Sequence, residues 1–152
     1  MALKLATGLT VSSIAFSQGG HIPKKYSCEG ENINPPLEIN RFPKETKTLA
    51  IIVEDPDAPR GIFDHWLVWN ISPNEPITEN HIAGVSGRNS FGNTGYGGPC
   101  PPKGIHRYHF TLYALNALLD LSTSTNKEEL LKAMQGHILE QTTLIGTYQR
   151  KK

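Results

Sequence analysis

From Thr48 to Glu54 the chain reads TLAIIVE, an unbroken apolar run of strand length. Such a run predicts a strand covered on both faces. Arg107–Leu115 alternates instead: Tyr108, Phe110, Leu112 and Ala114 fall on one parity, His109, Thr111 and Tyr113 on the other. That period of two predicts a strand with two distinct faces. His65–Ile71 (HWLVWNI) is β-branched and aromatic and predicts another strand. Leu9–Phe16 predicts the first strand, with Ile14 and Phe16 on one face, and Thr142–Gln149 the last. The stretch His21–Pro36 is dense in Gly, Pro, Asn and Ser and predicts loop.

One segment has helical spacing. Thr125 with Glu128 three residues on fits a capping box, and Leu130, Leu131 and Met134 follow on one stripe. Ile138 and Leu139 extend that stripe, with Gly136 as the point of break or kink. Short strands and one late helix predict a mainly β antiparallel sandwich. Strand and helix do not alternate, so a doubly wound nucleotide-binding sheet is not expected. Gly92, Gly95, Gly97 and Gly98 precede no helical run and no Gly-Lys-Ser/Thr, which excludes a P-loop.

Length fits one domain, residues 1–152. The 14 glycines and 11 prolines point to many turns and away from a helix bundle. A net charge of +1 gives no basic field for nucleic acid. Met1–Phe16 lacks a continuous apolar core, so export is not expected, and no run is long enough for an integral membrane segment. The expected location is cytoplasmic. In that reducing setting Cys28 and Cys100 read as free thiols, with a bridge closing a long loop as the alternative. A catalytic thiol is disfavoured, because Cys100 lies between prolines with no helix N-terminus beside it.

Chemistry concentrates in three places. Asp55-Pro56-Asp57-Ala58-Pro59 follows the TLAIIVE strand, and its prolines make a stiff turn. Ala58–Pro59 is a candidate cis bond. Asp64-His65-Trp66 opens the next strand. Tyr96 to Tyr108 is a Gly- and Pro-rich loop feeding the alternating strand. Each has a plain reading: an Asx turn, a structural histidine, an ordinary loop, and core aromatics at Trp66, Trp69, Phe110 and Tyr113.

The order DPDAP, HW, GGPCPPKGIHRYHF resembles the phosphatidylethanolamine-binding protein family, in its short bacterial and archaeal Raf-kinase-inhibitor-like branch. FSQGGHIPKKYSCEGENINPPL and the closing LIGTYQR also resemble that branch, so the resemblance runs from about Leu9 to Arg150. It implies a Greek-key antiparallel β-sandwich with a short helical segment near the C-terminus. It also implies a small pocket for anionic head groups such as phosphate or phosphorylethanolamine. By motif, that pocket takes Asp55, His65, Gly98, Pro99, His106 and Tyr108, with Asp57, Pro59, Trp66 and Gly97 as supporting loop. Long eukaryotic members carry a further C-terminal helix at the pocket mouth, which is not read beyond LIGTYQR here.

Physically, the two imidazoles can donate hydrogen bonds, and the N–H groups near Gly97 and Gly98 can add more. Asp55 fixes a histidine tautomer or holds an ammonium. Tyr108 is expected at the rim, ring packed and hydroxyl wet, with His106 on the same side and His109 on the other. No catalytic residue, metal or cofactor is assigned. The first reading is a non-enzymatic binding protein for an anionic small molecule or phospholipid head group. Alternatives are a regulator docking a kinase or protease, and a metal-dependent or acid–base enzyme. A homodimer is suggested by family habit only.

Overall fold

A computed structural model describes residues 8–81 and 84–150. Residues 1–7 of the stretch weighed as a targeting segment lie outside the described residues, as do 82–83 and 151–152.

The elements run β1 Thr10–Ser12, a 3-10 turn Lys24–Tyr26, β2 Glu38–Asn40, β3 Thr48–Asp55, β4 Phe63–Ile71 and β5 Val85–Ser86. Then come β6 His106–Leu115, α1 Lys127–Met134 and β7 Ile138–Tyr148. β5, β4, β3, β6 and β7 form one sheet in that order, and β1 pairs β2 in a second. Every ladder is antiparallel. β3, β4 and β5 lie side by side and β6 returns beside β3, which is the Greek-key order.

β3 sits at the centre, so both its faces are covered. Leu49, Ile51 and Val53 join one core with Phe110, Leu112 and the N-terminal Phe16 and Ile22. Ala50 and Ile52 join the other, closed by Leu130 and Met134 of α1. The parity of β6 is as expected: Tyr108, Phe110, Leu112 and Ala114 face the first core, Tyr113 and Leu115 the second.

Three local expectations are corrected. The first strand stops at Ser12. Ser13 Oγ donates to Pro36 O and accepts from Ala15 N, which turns the chain, leaving Ile14 89% exposed while Phe16 is buried. The capping box is one residue later than expected: Asn126 accepts from Glu129 N, and Glu129 accepts from Asn126 N. Thr125 is occupied elsewhere, its carbonyl accepting from Arg88 N. Finally, the helix ends at Met134; Gly136 takes φ +82°, and Ile138 already opens β7. Asn126→Ala is expected to cost about 1 kcal/mol. An unchanged denaturation midpoint would show that the box contributes nothing.

The cysteines are paired. Cys28 and Cys100 form a disulfide across 72 residues of sequence, against the expectation of free thiols. The fold brings their Cα atoms to 5.4 Å, within ordinary bridging reach. No cis peptide occurs among the described residues, so Ala58–Pro59 is trans. The turn closes instead through Asp57 N donating to Asp55 Oδ1 (2.8 Å), an Asx turn that needs no cis bond.

Candidate functional site

The end of β3 and the starts of β4 and β6 meet at one end of the sheet. A cavity of ≈ 180 Å³ opens there on the face of the first core. Its walls are Asp55, Ala58, Pro59, Phe63, His65, Phe91, Cys100, Pro101, Pro102, His106 and Tyr108. It is smaller than the pockets of about 300–1,000 Å³ that hold drug-sized ligands, so it has head-group dimensions.

Parity explains most of this lining. Asp55 follows Val53 by two residues, and His106 and Tyr108 precede Phe110 by four and two. All therefore point to the first-core side. His65 breaks the rule. Val53 pairs with Trp66 and Glu54 with Asp64, so His65 is an extra residue on β4, opposite no partner. This bulge turns its ring toward Tyr108, at a centroid separation of 5.2 Å. Asp64 goes to the opposite face, where Lys127 of α1 reaches it at 2.8 Å and Glu54 at 3.1 Å.

Both imidazoles are anchored through Nδ1. His106 Nδ1 lies 2.6 Å from Asp55 Oδ2, and His65 Nδ1 lies 2.7 Å from Gly97 O. An ionised carboxylate and a carbonyl can only accept, so each Nδ1 carries a proton. Among the described residues neither Nε2 has a protein partner, yet neither is a sealed polar atom. Two ring nitrogens are thus left open to the cavity.

Burial among Phe63, Phe91 and Tyr108 pulls the His65 pKa below its ordinary 6.5; the Gly97 carbonyl and the Asp55 charge oppose this without reversing it. His65 is therefore neutral at pH 7, and its Nε2 is an acceptor. The sign for stability follows. The unfolded chain protonates near 6.5 and the folded chain only lower, so stability falls as pH drops from 6.5 through the folded value. Substituting His65→Phe is expected to flatten that part of the stability–pH curve. An unchanged slope between pH 7 and 5 would contradict it.

Tyr108 differs from expectation. It is 1% exposed, not at a wet rim. β6 is flanked by β3 and β7, and the Cys100–Pro102 wall covers its start. The hydroxyl is enclosed, close to the Asp55 carboxylate and the Cys100 backbone. Burial, then the charge of Asp55, pushes its pKa up, so it remains a neutral hydroxyl.

Asp57 braces the site from outside. Its carboxylate accepts from Arg107 N (2.9 Å), Nε (2.9 Å) and Nη2 (2.8 Å). This fork holds the Asp57 pKa down at about 2 and ties the turn to the start of β6. Pro59 lines the cavity.

Four expected residues stand behind the wall. Trp66 is in the first core against Tyr96 (5.6 Å). Pro99 O accepts from Cys28 N. The N–H of Gly97 goes to His65 O, and that of Gly98 to Asn32 Oδ1. Neither glycine amide is free for a ligand, which corrects the expectation of extra donors. Phe63 and Phe91 were not anticipated. A lone Phe91 in the glycine-rich stretch was the one available sign.

Two larger clefts lie elsewhere. One of ≈ 340 Å³ runs past Ile14, Leu37, Ile39 and Ile77, and one of ≈ 640 Å³ past Cys28, Lys103 and Arg150. Neither gathers imidazoles. Among the described residues no three His, Cys, Asp or Glu side chains form a metal-holding group. Also among them, no helix is long and apolar enough to cross a membrane.

Comparison with known proteins gives the family. The model of the phosphatidylethanolamine-binding protein family matches residues 12–149. A UPF0098 protein of Archaeoglobus fulgidus is 48% identical over 98% of this chain, which spans only 54% of that relative. One of Methanothermobacter thermautotrophicus is 45% identical, covering 93% of this chain and 99% of its own length. A phosphatidylethanolamine-binding protein homolog from Chlamydia trachomatis superposes at TM-score 0.93 with 44% identity, covering 96% of this chain and all (100%) of its own. E. coli YbcL superposes at 0.86 with 28% identity, over 94% and 99% of the two chains. The chain belongs to the phosphatidylethanolamine-binding protein family.

Proposed function

We propose that this chain is a non-enzymatic binding protein whose pocket takes a small phosphorylated head group, a phosphate monoester in its monoanionic form. The observation that carries the reading is the pair of Nδ1-anchored imidazoles whose Nε2 atoms are open to the cavity.

The hydrogen-bond types favour one protonation state. Neutral His65 presents an acceptor. His106, backed by the Asp55 carboxylate, presents a donor only when Nε2 is also protonated. Tyr108 contributes its ring to the wall, its hydroxyl being enclosed. A phosphate monoester with one remaining P–OH matches the two imidazoles: its hydroxyl donates to His65, and an oxygen accepts from His106. The second phosphate proton is lost with a pKa of about 6. Binding is therefore expected to tighten as pH falls from 8 toward 6. Among the described residues no lysine or arginine lines the cavity, so affinity for free phosphate is expected to be weak, on the order of 10 µM to mM.

The test is a titration with inorganic phosphate and phosphorylethanolamine, followed by the ring resonances of His65 and His106. Saturable shifts in both rings, lost in His106→Ala, are expected. Absence of any shift at either ring up to about 50 mM phosphate, far above the expected range, would reject the proposal.

A second reading is docking of a protein partner over the pocket mouth. Ile62, Phe91 and Ile105, neighbours of or members of the lining, are 57%, 44% and 64% exposed. A solved carboxypeptidase Y inhibitor complexed with its cognate proteinase shares the fold at TM-score 0.58, with 17% identity. Partner binding that survives His106→Ala but fails in Phe91→Asp would favour this reading over the first.

A further inference from the structure

The wall between the pocket and the neighbouring groove is unevenly held. Cys100, Pro101 and Pro102 line the pocket, while Cys28, Pro101 and Pro102 line the ≈ 640 Å³ groove, so the disulfide lies in the partition. On the Cys28 side the chain is well anchored. Ser27 N donates to Lys24 O, Gly30 N to Ser27 O, and Cys28 N to Pro99 O. Ser27 Oγ bonds Tyr148 Oη of β7 (2.8 Å), which in turn donates to Glu29.

The Cys100 side is bare. Prolines 101 and 102 have no N–H to give. From Cys100 to Ile105 the described chain makes no backbone–backbone hydrogen bond outside the β6 ladder. Its one other tether is Arg150 Nε donating to Pro101 O at 3.0 Å. Beyond the Cys28 N–Pro99 O bond at the foot of the wall, the disulfide is thus the link between a loosely held pocket wall and a firmly held loop. Cys28 is exposed, so a thiol can reach it from the groove.

Resting on the pocket reading above, we propose that the Cys28–Cys100 bridge is a redox-controlled tether: oxidised, it fixes the Cys100–Ile105 wall and keeps the pocket formed; reduced, it frees that wall and weakens binding. The reductant is a dithiol. Its thiolate attacks one cysteine sulfur and the S–S bond breaks. The other cysteine leaves as a thiolate and takes a proton. The second thiolate of the reductant then displaces the remaining cysteine, which also takes a proton. Both cysteines finish as thiols, two electrons having passed to them, and the reductant finishes as its own disulfide. A mobile wall must be re-ordered by the ligand, which is why affinity falls.

The test compares oxidised protein with protein reduced by dithiothreitol, and with Cys28→Ser/Cys100→Ser. Two readouts are taken: backbone 15N order parameters at Lys103, Gly104 and Ile105, and the Kd for inorganic phosphate. On reduction, the wall order parameters are expected to fall from about 0.85 to below about 0.6 while those of β3 stay unchanged. The Kd is expected to rise about fivefold to tenfold. Unchanged wall order parameters overturn the tether. So does an equal fall in β3, because the bridge is then a staple of the whole fold. A more mobile wall with equal Kd in both forms overturns control of binding. A more mobile wall with no phosphate bound to either form upholds the tether and rejects the pocket reading instead. If the double variant does not fold, the reduced wild type carries every arm.

Discussion

Asp55→Ala is expected to lose about 3–5 kcal/mol of stability and all measurable phosphate binding. The carboxylate is 3% exposed and has two donors fixed on it: His106 Nδ1 at 2.6 Å and Asp57 N at 2.8 Å. Alanine leaves both unpaired in a place water hardly enters, and each orphan costs about 1–3 kcal/mol. It also frees the His106 ring and loosens the turn that Asp57 clamps to Arg107. Asp55→Asn separates these effects. An asparagine amide can donate to Nδ1, which moves the neutral-state proton of His106 to Nε2. Binding should then fall less steeply than in the wild type as pH rises from 6 to 8, because neutral His106 now donates and only the loss of the phosphate monoanion remains. Calorimetric titration at both pH values reads this. A variant with the same pH profile as the wild type would show that the Asp55–His106 pair does not control the donor.

Gly98→Ala is expected to cost about 2–4 kcal/mol, although its side chain would not touch the cavity. A Cβ there would overlap the Tyr26 carbonyl oxygen and lie 2.6 Å from Asn32 Oδ1 and 3.0 Å from Ser27 Cα. Two of these three are backbone, which cannot swing aside. Relief requires pushing the 26–32 loop off the pocket loop. That breaks the Gly98 N–Asn32 bond (2.8 Å) and the Tyr96 Oη–Tyr26 O bond (2.7 Å), and strains the bridge at Cys28. Gly104→Ala is the control. Its φ is +76° with nothing within 4 Å, so only backbone strain of about 1 kcal/mol applies. Thermal unfolding of the two variants reads the difference. Equal losses would mean that Gly98 is needed for its conformation alone and not for close packing.

These two residues illustrate what the sequence could disclose. The strands were legible because burial imposes period: TLAIIVE is apolar throughout because β3 has a core on each side, and β6 alternates because its faces meet different cores. Asp55, His106 and Tyr108 reach one cavity by the same parity. His65 does not, because a bulge leaves it without a partner, and nothing in Asp64-His65-Trp66 announces an inserted residue. The motif resemblance pointed to His65 where periodicity would have turned it away. Gly98 was legible as a motif member but not in its role, since close backbone approach depends on a loop about 70 residues earlier. Tyr108 was misplaced for a related reason. Its exposure is set by the Cys100–Pro102 wall, which is held by a disulfide between segments that no local pattern relates.

The most direct measurement is a crystal structure grown or soaked with phosphorylethanolamine near pH 6. The account predicts the phosphoryl group in the ≈ 180 Å³ cavity, with oxygens within hydrogen-bonding distance of His65 Nε2 and His106 Nε2. An empty cavity at saturating ligand, or a phosphoryl group seated only against Lys103 and Arg150 in the outer groove, would contradict it.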